Sequence, residues 1–255
     1  MKNLKTKLKN RELIFGSWVS FAHPSITEIF TSSAFDFHAI DMEHTTINLE
    51  QAQRIIAASQ SNGVPCLPRP VSHSNDWIKP LLDSGADGII APLVSNKSEA
   101  DSLGDLILFP PAGKRSFGVN RAHGYGKKFD NYLNEWNTKA AYIAQIETKE
   151  AIANITDIVS SNNLNGVMIG PYDLSGSLGV PGQTQHKLVL EAEKIVIDVC
   201  KETGMSCGTQ LADFSEENVE KAISKGYTFI IASSDLFILN SWAMSAEITI
   251  KKFHG

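Results

Sequence analysis

The sequence predicts a (β/α)8 barrel, as a single domain that spans residues 1–255. Short apolar runs alternate with helical patterns from one end of the chain to the other, about eight times in 255 residues. A chain of this length, with 42% hydrophobic residues, can bury a full core. The same alternation leaves a doubly wound open sheet as the structural alternative.

Eight apolar runs of strand length supply the predicted barrel. In chain order they lie at 13–20, 35–42, 64–70, 86–94, 141–148, 165–173, 205–211 and 227–235. Several of these runs end in charged or polar side chains, and a barrel brings such strand ends together at one mouth.

Amphipathic segments between the strands supply the predicted helices. In residues 48–63 one helical face carries Leu49, Ala52, Ile55, Ile56 and Ser59. Gly63 marks the stop of that helix. A second helix is predicted to open on Thr148 as its N-cap, with Ile152, Ile155 and Val159 on its apolar side.

One long interval, residues 109–138, interrupts this alternation. It reads "FPPAGKRSFGVNRAHGYGKKFDNYLNEWNT" and shows no clear periodicity. Loops of this length usually carry function or remain disordered. Because the interval follows the fourth strand run, we expect it on the same barrel face as the other strand-to-helix loops, where barrel enzymes place their sites.

Composition argues against several classes of partner. The net charge of −5, with acidic and basic residues interspersed, gives no basic surface for nucleic acid or an anionic membrane. Three cysteines without CxxC spacing disfavour a disulfide framework and a thiolate zinc site, so we expect reduced thiols. The basic N-terminus lacks the apolar core of a signal peptide, and no later run would span a bilayer. A cytoplasmic protein is expected.

Polar side chains at the strand ends are the candidates for chemistry. They are Asp41, Glu43, His44, Arg69, Glu147 and Asp173. Any one of them is also compatible with a capping or solvated role, which is the more common use of a single strand-end carboxylate. Their convergence at one barrel mouth favours a functional site instead.

Glu147 and Asp173 form the most informative pair, because each closes an apolar strand run. Two carboxylates with open positions suit a hard divalent cation such as Mg²⁺ or Mn²⁺. The alternative is that Glu147 caps the following helix and Asp173 accepts from turn amides. Zinc is less favoured because no pair of histidines has ligand spacing.

Arg69 lies between Pro68 and Pro70, which restrict the backbone on both sides of the arginine. Its guanidinium suits a carboxylate or an enolate. An ion pair with Asp41 or Glu43 is the alternative. His44 is a candidate general base, although a lone histidine is more often structural.

Two kinds of barrel site are disfavoured. No strand run ends in lysine, so Schiff-base chemistry is not expected. The loops after the last two strand runs lack a glycine-rich phosphate site, which favours a substrate without a phosphate at that end.

Six separated blocks together resemble the HpcH/HpaI family of metal-dependent (class II) pyruvate aldolases. They are "GSWVSFAHPSITEIFTSSAFDFHAIDMEHT", "LPRP", "LLDSGADGIIAPLV", "FPPAGKRS", "QIET" and "IGPYDLSGSLG". The resemblance extends from about Gly16 to Asp235 and keeps the family order. It implies a (β/α)8 barrel of the phosphoenolpyruvate/pyruvate-binding type. It also implies a trimer or hexamer, in which a C-terminal helix at about 236–253 packs on a neighbouring subunit.

The resemblance also implies a role for each matching residue. Glu147 and Asp173 would bind the metal, and Arg69 would contact the pyruvate oxygen or the enolate. His44 with Asp41 would handle protons, and Asp83 would reach a neighbouring subunit's site. The other implied contacts with substrate are Gln145, Gly170, Pro171 and Asp173.

The implied reaction is reversible cleavage of a 4-hydroxy-2-oxo acid, such as 4-hydroxy-2-oxoheptanedioate or a 2-keto-3-deoxy sugar acid. The products would be pyruvate and an aldehyde, formed through a metal-stabilised pyruvate enolate. The implied cofactor is Mg²⁺, Mn²⁺ or Co²⁺, without an organic cofactor. The alternatives are 2-oxo acid decarboxylation, acyl-CoA cleavage, or a non-catalytic binding subunit.

Two stretches depart from the family pattern. The arginine stretch reads "PRPVSHSND", with prolines on both sides of Arg69 and an additional His73. The segment "SFGVNRAHGYGKKFDNY" is longer and more polar than a dicarboxylate substrate would require. Hydroxyl-rich aldehydes derived from sugars are therefore candidate acceptors, with Arg121 and His123 either in contact with them or at the surface.

Overall fold

Eight parallel strands form a nearly closed barrel in the computed structural model, which describes residues 3–254. The strands are β1 (Ile14–Val19), β2 (Phe37–Asp41), β3 (Cys66–Arg69), β4 (Gly88–Ala91), β5 (Ala141–Ile146), β6 (Gly166–Ile169), β7 (Ser206–Leu211) and β8 (Phe229–Ser234). Their order is β3-β2-β1-β8-β7-β6-β5-β4, and β3 and β4 lie in contact where this order ends. All eight predicted strands are present, which confirms the barrel and excludes the open sheet.

Most of the helices surround the barrel and return the chain from one strand to the next, whereas the first helix precedes β1 and the last follows β8. They are α1 (Leu4–Lys9), α2 (Pro24–Thr31), α3 (Leu49–Ser61), α4 (Asn75–Asp83), α5 (Lys97–Ile107), α6 (Phe129–Lys139), α7 (Lys149–Ala153), α8 (Ile155–Val159), α9 (Pro171–Ser177), α10 (Lys187–Thr203), α11 (Glu216–Lys225) and α12 (Asp235–His254). The ends of the predicted domain, Met1, Lys2 and Gly255, lie outside the described residues.

Local sequence signals explain where α3 and α7 begin. Asn48 accepts a hydrogen bond from the Gln51 N–H, and the Gln51 side chain accepts from the Asn48 N–H, so α3 opens with a capping box. After α3, Gly63 takes a φ of 76°, as its predicted role as a stop requires. Thr148 caps α7 as predicted, but the chain divides at Asn154 into two short helices, α7 and α8.

The barrel interior is filled by large apolar side chains from most of the strands. Leu4 and Leu8 of α1 join this interior cluster, which also contains Ile14, Trp18, Phe37, Ala39, Leu67, Ile90, Ala141, Ile143, Met168, Phe229 and Ile231. A second, larger apolar cluster lies between the strands and the surrounding helices. The interior is therefore a packed core rather than a channel, and a ligand has access only at its ends.

The position predicted for residues 109–138 is wrong. Helix α5 separates this segment from β4, so the segment begins at the end of the barrel where helices lead into strands, opposite to the strand-to-helix loops. Its second half is not a loop but α6, in which Tyr132, Leu133 and Trp136 pack on the core.

Arg121 and His123, in a short 3-10 helix of this segment, do not line the mouth of their own barrel. His123 is fully buried between the rings of Phe129 and Tyr132. The Arg121 Nη1 donates to the Gln60 Oε1 at 2.7 Å and to the Ser84 carbonyl at 3.0 Å. Within one chain, both residues have structural contacts instead of substrate contacts.

Two predictions about cysteine and membrane segments can be compared with the structure. Cys66, Cys200 and Cys207 are buried and free of disulfides. Between residues 3 and 254, no helix combines the length and the apolar character that a membrane span requires.

Candidate active site

Most of the predicted polar residues meet at the mouth formed by the carboxyl ends of the strands. Together they border one cavity of about 410 Å³. The predicted residues that line it are Asp41, His44, Arg69, Gln145, Glu147, Gly170, Pro171 and Asp173. Topology explains the convergence, because parallel strands of a barrel all end on one face.

Arg69, the last residue of β3, is the centre of an ion-pair network. Its Nη2 lies 2.8 Å from the Asp41 Oδ1, and its Nε lies 3.2 Å from the Glu43 Oε2. The predicted alternative of pairing with Asp41 or Glu43 is thus found with both carboxylates. The guanidinium also lies 4.6 Å from the ring centroid of Trp18, which adds a cation–π contact.

The same guanidinium connects this network to the opposite wall. Its Nη1 donates to the Gln145 Oε1 at 3.2 Å, and the Gln145 Nε2 donates to the Glu147 Oε2 at 3.1 Å. Gln145, which only the family resemblance identified, therefore joins the arginine to the carboxylate predicted to bind metal. Through Gln145, the position of the Arg69 side chain is therefore linked to the position of the Glu147 carboxylate.

Asp41 also shapes the loop that follows β2. Its Oδ1 accepts from the backbone N–H of Glu43 at 3.1 Å and of His44 at 3.2 Å. Such an Asx turn carries the chain out of the core directly after the strand. The enclosed carboxylates of Asp41 and Glu43 at the end of this buried strand are compensated by Arg69.

Glu147 is buried, with 2% of its surface exposed. Its Oε1 accepts from the Leu93 N–H at 2.7 Å, and Thr148 rather than Glu147 caps the next helix. Burial raises the pKa of Glu147 to about 7, the Leu93 hydrogen bond opposes this, and the Glu43 and Asp173 charges reinforce it. The predicted capping alternative for Glu147 is therefore absent.

Asp173 lies in the first turn of α9, exposed at the mouth. The Gly170 that precedes this helix approaches Glu147 closely: a Cβ at position 170 would lie 2.3 Å from the Glu147 Oε2. Only a glycine at 170 leaves room for the carboxylate in this position.

The charges at the mouth do not balance among themselves. Four carboxyl groups, Asp41, Glu43, Glu147 and Asp173, surround the single guanidinium of Arg69. Burial raises the pKa of Glu43 as well, with Arg69 and His44 acting in the opposite direction. An additional cation would relieve this excess of negative charge, so the donor set fits a metal ion.

Two predicted residues lie apart from the buried network of the mouth, His44 because it is exposed and Asp83 because it lies elsewhere in the fold. The His44 side chain is 59% exposed, and its Nε2 lies 3.6 Å from the Glu43 Oε2. Asp83 ends α4, on the helix-to-strand side of the barrel, and its Oδ1 accepts from the Arg115 Nη2 at 2.8 Å. Asp83 does not line the mouth of its own chain.

Residue-based reasoning missed part of the cavity wall. Trp18, Ser20, Gln210 and Ser234 also line the cavity. They are uncharged, so the search for charged strand ends passed over them. The position of Gln210 near the end of the seventh strand run was the available signal.

Comparison with known proteins agrees with this geometry. The HpcH/HpaI aldolase/citrate lyase model matches residues 15–241. The chain belongs to the HpcH/HpaI aldolase/citrate lyase family. Membership confirms the predicted family resemblance.

Curated relatives of the family align with nearly the whole chain. The hydroxypyruvate/pyruvate aldolase of Roseobacter denitrificans is 31% identical over 243 residues, covering 94% of this chain and 93% of the relative. The 4-hydroxy-2-oxo-heptane-1,7-dioate aldolase of Salmonella heidelberg is 31% identical over 256 residues, covering 99% and 95%. The 2-dehydro-3,6-dideoxy-6-sulfogluconate aldolase of Pseudomonas putida is 29% identical over 245 residues, covering 96% and 95%.

Solved structures of HpcH/HpaI proteins share the barrel. An HpcH/HpaI aldolase from Desulfitobacterium hafniense superposes with a TM-score of 0.89 at 25% identity, covering 98% of this chain and 97% of that one. A family protein from Burkholderia cenocepacia gives a TM-score of 0.91 at 26% identity, covering 97% and 98%. Together with the aldolases among the relatives, membership confirms the predicted enzyme class, a carbon–carbon lyase.

Proposed function

We propose that this protein is a divalent-metal-dependent aldolase that reversibly cleaves a 4-hydroxy-2-oxo acid to pyruvate and an aldehyde through a pyruvate enolate. One observation carries the proposal. Hydrogen bonds connect Arg69, Gln145 and Glu147 in a single cavity that has more carboxylates than cationic side chains. The aldolases among its relatives support the same reaction.

Glu147 and Asp173 are the proposed metal ligands. Across residues 3–254, no three His, Cys, Asp or Glu side chains come together as a larger ligand set. Two carboxylates would leave positions for water and substrate, which suits Mg²⁺, Mn²⁺ or Co²⁺ without an organic cofactor. When bound, the ion supplies Lewis-acid polarisation of the keto and carboxylate oxygens of a 2-oxo acid.

The remaining residues divide the other tasks. Arg69, held by Asp41 and stacked on Trp18, presents N–H donors to the oxygen that becomes negative in the enolate. In the cleavage direction, His44 takes the proton of the C4 hydroxyl through water as the C3–C4 bond breaks and the aldehyde forms. The enolate that remains then takes up a proton at C3 to give pyruvate. Asp41 positions the His44 backbone. Gly170 and Pro171 form the floor beside Glu147.

Pyruvate release from a panel of 4-hydroxy-2-oxo acids tests this function. After EDTA treatment we expect no turnover, and restored turnover on addition of Mg²⁺, Mn²⁺ or Co²⁺. Glu147→Gln and Asp173→Asn should abolish the restoration, whereas the exposed Glu150→Gln serves as a matched control. His44→Ala and Arg69→Ala should each lower the rate by at least about 100-fold.

The same assay separates the alternatives. Pyruvate release from oxaloacetate alone, without cleavage of any hydroxy acid, would favour a decarboxylase. Activity that requires a CoA thioester would favour an acyl-CoA lyase. Failure to cleave the panel or to bind pyruvate with any of these metals would leave a non-catalytic binding subunit.

We also propose a cytoplasmic homo-oligomer, a trimer or hexamer, in which α12 packs on a neighbouring subunit. Trp242 is 71% exposed and Phe253 is 83% exposed, and other apolar side chains of this helix are exposed as well. Exposed apolar surface of this kind is typical of an interface. Asp83 is proposed to reach a neighbouring site on the family resemblance alone. The three free, buried thiols suit a reducing compartment.

A further inference from the structure

The mouth of the barrel divides into a charged half and an uncharged half. The charged side chains come from β2, β3 and β5 and from the start of α9. The other wall is formed by the adjacent strands β1, β8 and β7. Trp18 of β1 and Ser20 just after it line this wall, together with Ser234 of β8 and Gln210 of β7. Asp235, which follows β8, is buried, accepts from the N–H groups of Ser20 and Phe21, and does not line the cavity. We call the β1–β8–β7 wall the neutral wall.

The neutral wall contains polar groups without partners. Within residues 3–254, the side-chain amide of Gln210 has no hydrogen bond. Within the same residues, the indole N–H of Trp18 is also unpaired, but it is buried in the barrel interior and has no surface that a ligand could reach. The Gln210 amide therefore offers an acceptor and N–H donors at the cavity wall, which the hydroxyl groups of a ligand would match.

Space for such a ligand continues past Gln210. A second cavity of about 580 Å³ shares Pro171, Tyr172 and Gln210 with the mouth. Uncharged polar residues line much of it, including Thr184, Gln185 and Asn218. Two lysines also line it, but Lys221 lies 2.6 Å from Glu217 and Lys225 lies 3.2 Å from Glu193, so each has a carboxylate partner.

A carboxylated aldehyde would find less support at this wall. Arg69 is the one Lys or Arg side chain among the described residues that lines the mouth. It is paired with Asp41 and Glu43, and the proposed function assigns its remaining N–H groups to the enolate oxygen. A carboxylate would add a negative charge to a site that has several. Hydroxyl groups carry no such cost and match the amide of Gln210.

We infer that the neutral wall is the subsite for the aldehyde, and that Gln210 selects uncharged, hydroxylated aldehydes over carboxylated ones. This inference rests on the proposed aldolase function and specifies its second substrate. Aldol addition joins C3 of the enolate to the aldehyde carbon, and the aldehyde oxygen takes up a proton to become the C4 hydroxyl. The rest of the aldehyde chain then lies along Gln210.

The test compares kcat/KM for addition of pyruvate to glyceraldehyde, propanal and succinic semialdehyde, using the full chain with Mg²⁺ or Mn²⁺. Glyceraldehyde and propanal have the same carbon chain and differ in hydroxyl groups. We expect glyceraldehyde to exceed both other aldehydes by at least about tenfold. Gln210→Leu should lower the ratio of glyceraldehyde to propanal by at least about tenfold, whereas the exposed Gln183→Leu should retain the parent ratio.

A separate readout distinguishes failure of this inference from failure of the proposed function. Exchange of the pyruvate methyl protons in D₂O, followed by NMR, reports enolate formation without any aldehyde. Absence of metal-dependent exchange in the parent protein would reject the aldolase function itself. If exchange occurs but succinic semialdehyde is preferred, or if Gln210→Leu keeps the parent ratio, the assignment of the neutral wall is overturned.

Discussion

At the scale of single residues, Gly170 controls the position of the Glu147 carboxylate. Gly170→Ala would place a Cβ 2.3 Å from the Glu147 Oε2, so the carboxylate would have to move. We expect kcat/KM with Mg²⁺ to fall by about 100-fold, because small displacements of catalytic groups have effects of this size. Gly176→Ala in α9, the helix that follows Gly170, is the control, since a Cβ at position 176 would meet no described atom outside the helix backbone within 4 Å. Activity of Gly170→Ala within threefold of the parent would contradict the role of Glu147.

His38 is expected to make stability depend on pH. It is fully buried, its Nδ1 lies 2.7 Å from the Ser17 Oγ, and burial lowers its pKa from 6.5 to about 4. Between these values the unfolded chain binds more protons than the folded one, so stability falls as the pH drops from 6.5 towards 4. Compared with pH 7, His38 is expected to lower the free energy of unfolding at pH 5 by about 2 kcal/mol.

Urea denaturation at pH 7 and pH 5 measures this effect. His38→Asn is expected to be less stable than the parent at pH 7 but to lose less stability on acidification. The exposed His254→Asn is the control and should follow the parent at both values. Equal losses of stability on acidification in the parent and in His38→Asn would show that His38 is not the titrating group.

At the scale of elements, the packing of β7 against β8 depends on Gly208, because a glycine has no side chain to meet Phe229. A Cβ at Gly208 would lie 1.9 Å from the ring of Phe229, which is fully buried in the barrel interior. Gly208→Ala should therefore lower the free energy of unfolding by about 1–3 kcal/mol through overpacking. Combining it with Phe229→Leu should restore part of that loss, as a double-mutant cycle in thermal unfolding would show. If the effects of the two substitutions on the free energy of unfolding were purely additive, positions 208 and 229 would not be in contact.

The elements also show how far the sequence predicts this protein. The eight strands were predictable because each is a short apolar run between turn signals. Helix α5 was missed because its buried residues, Ala100, Leu103, Gly104 and Ile107, are partly small. The long segment was therefore placed on the wrong face. The charged half of the site was predictable from strand ends, but the neutral wall was not, since uncharged residues at strand ends have many uses.

At the scale of the whole molecule, the barrel is closed by α1 at one end and opens into the charged mouth at the other. Helix α12 starts directly after β8, beside that mouth, and Leu236 and Phe237 in its first turn line the cavity. The remainder of the helix exposes many apolar side chains. In the proposed oligomer, a subunit that covers α12 would also shield the site from water, and assembly would then be linked to catalysis.

Substitutions in α12 test this link. Trp242→Asp combined with Ile248→Asp places charges at two exposed apolar positions, 71% and 60% exposed. Because burying an unpaired charge in an interface is unfavourable, we expect light scattering to show a smaller species than the parent, together with a lower kcat/KM. Asn162→Asp adds a charge at an exposed position outside α12 and should keep the parent mass. A monomeric parent, or a variant that keeps both the parent mass and the parent rate, would show that the apolar surface of α12 is not an interface.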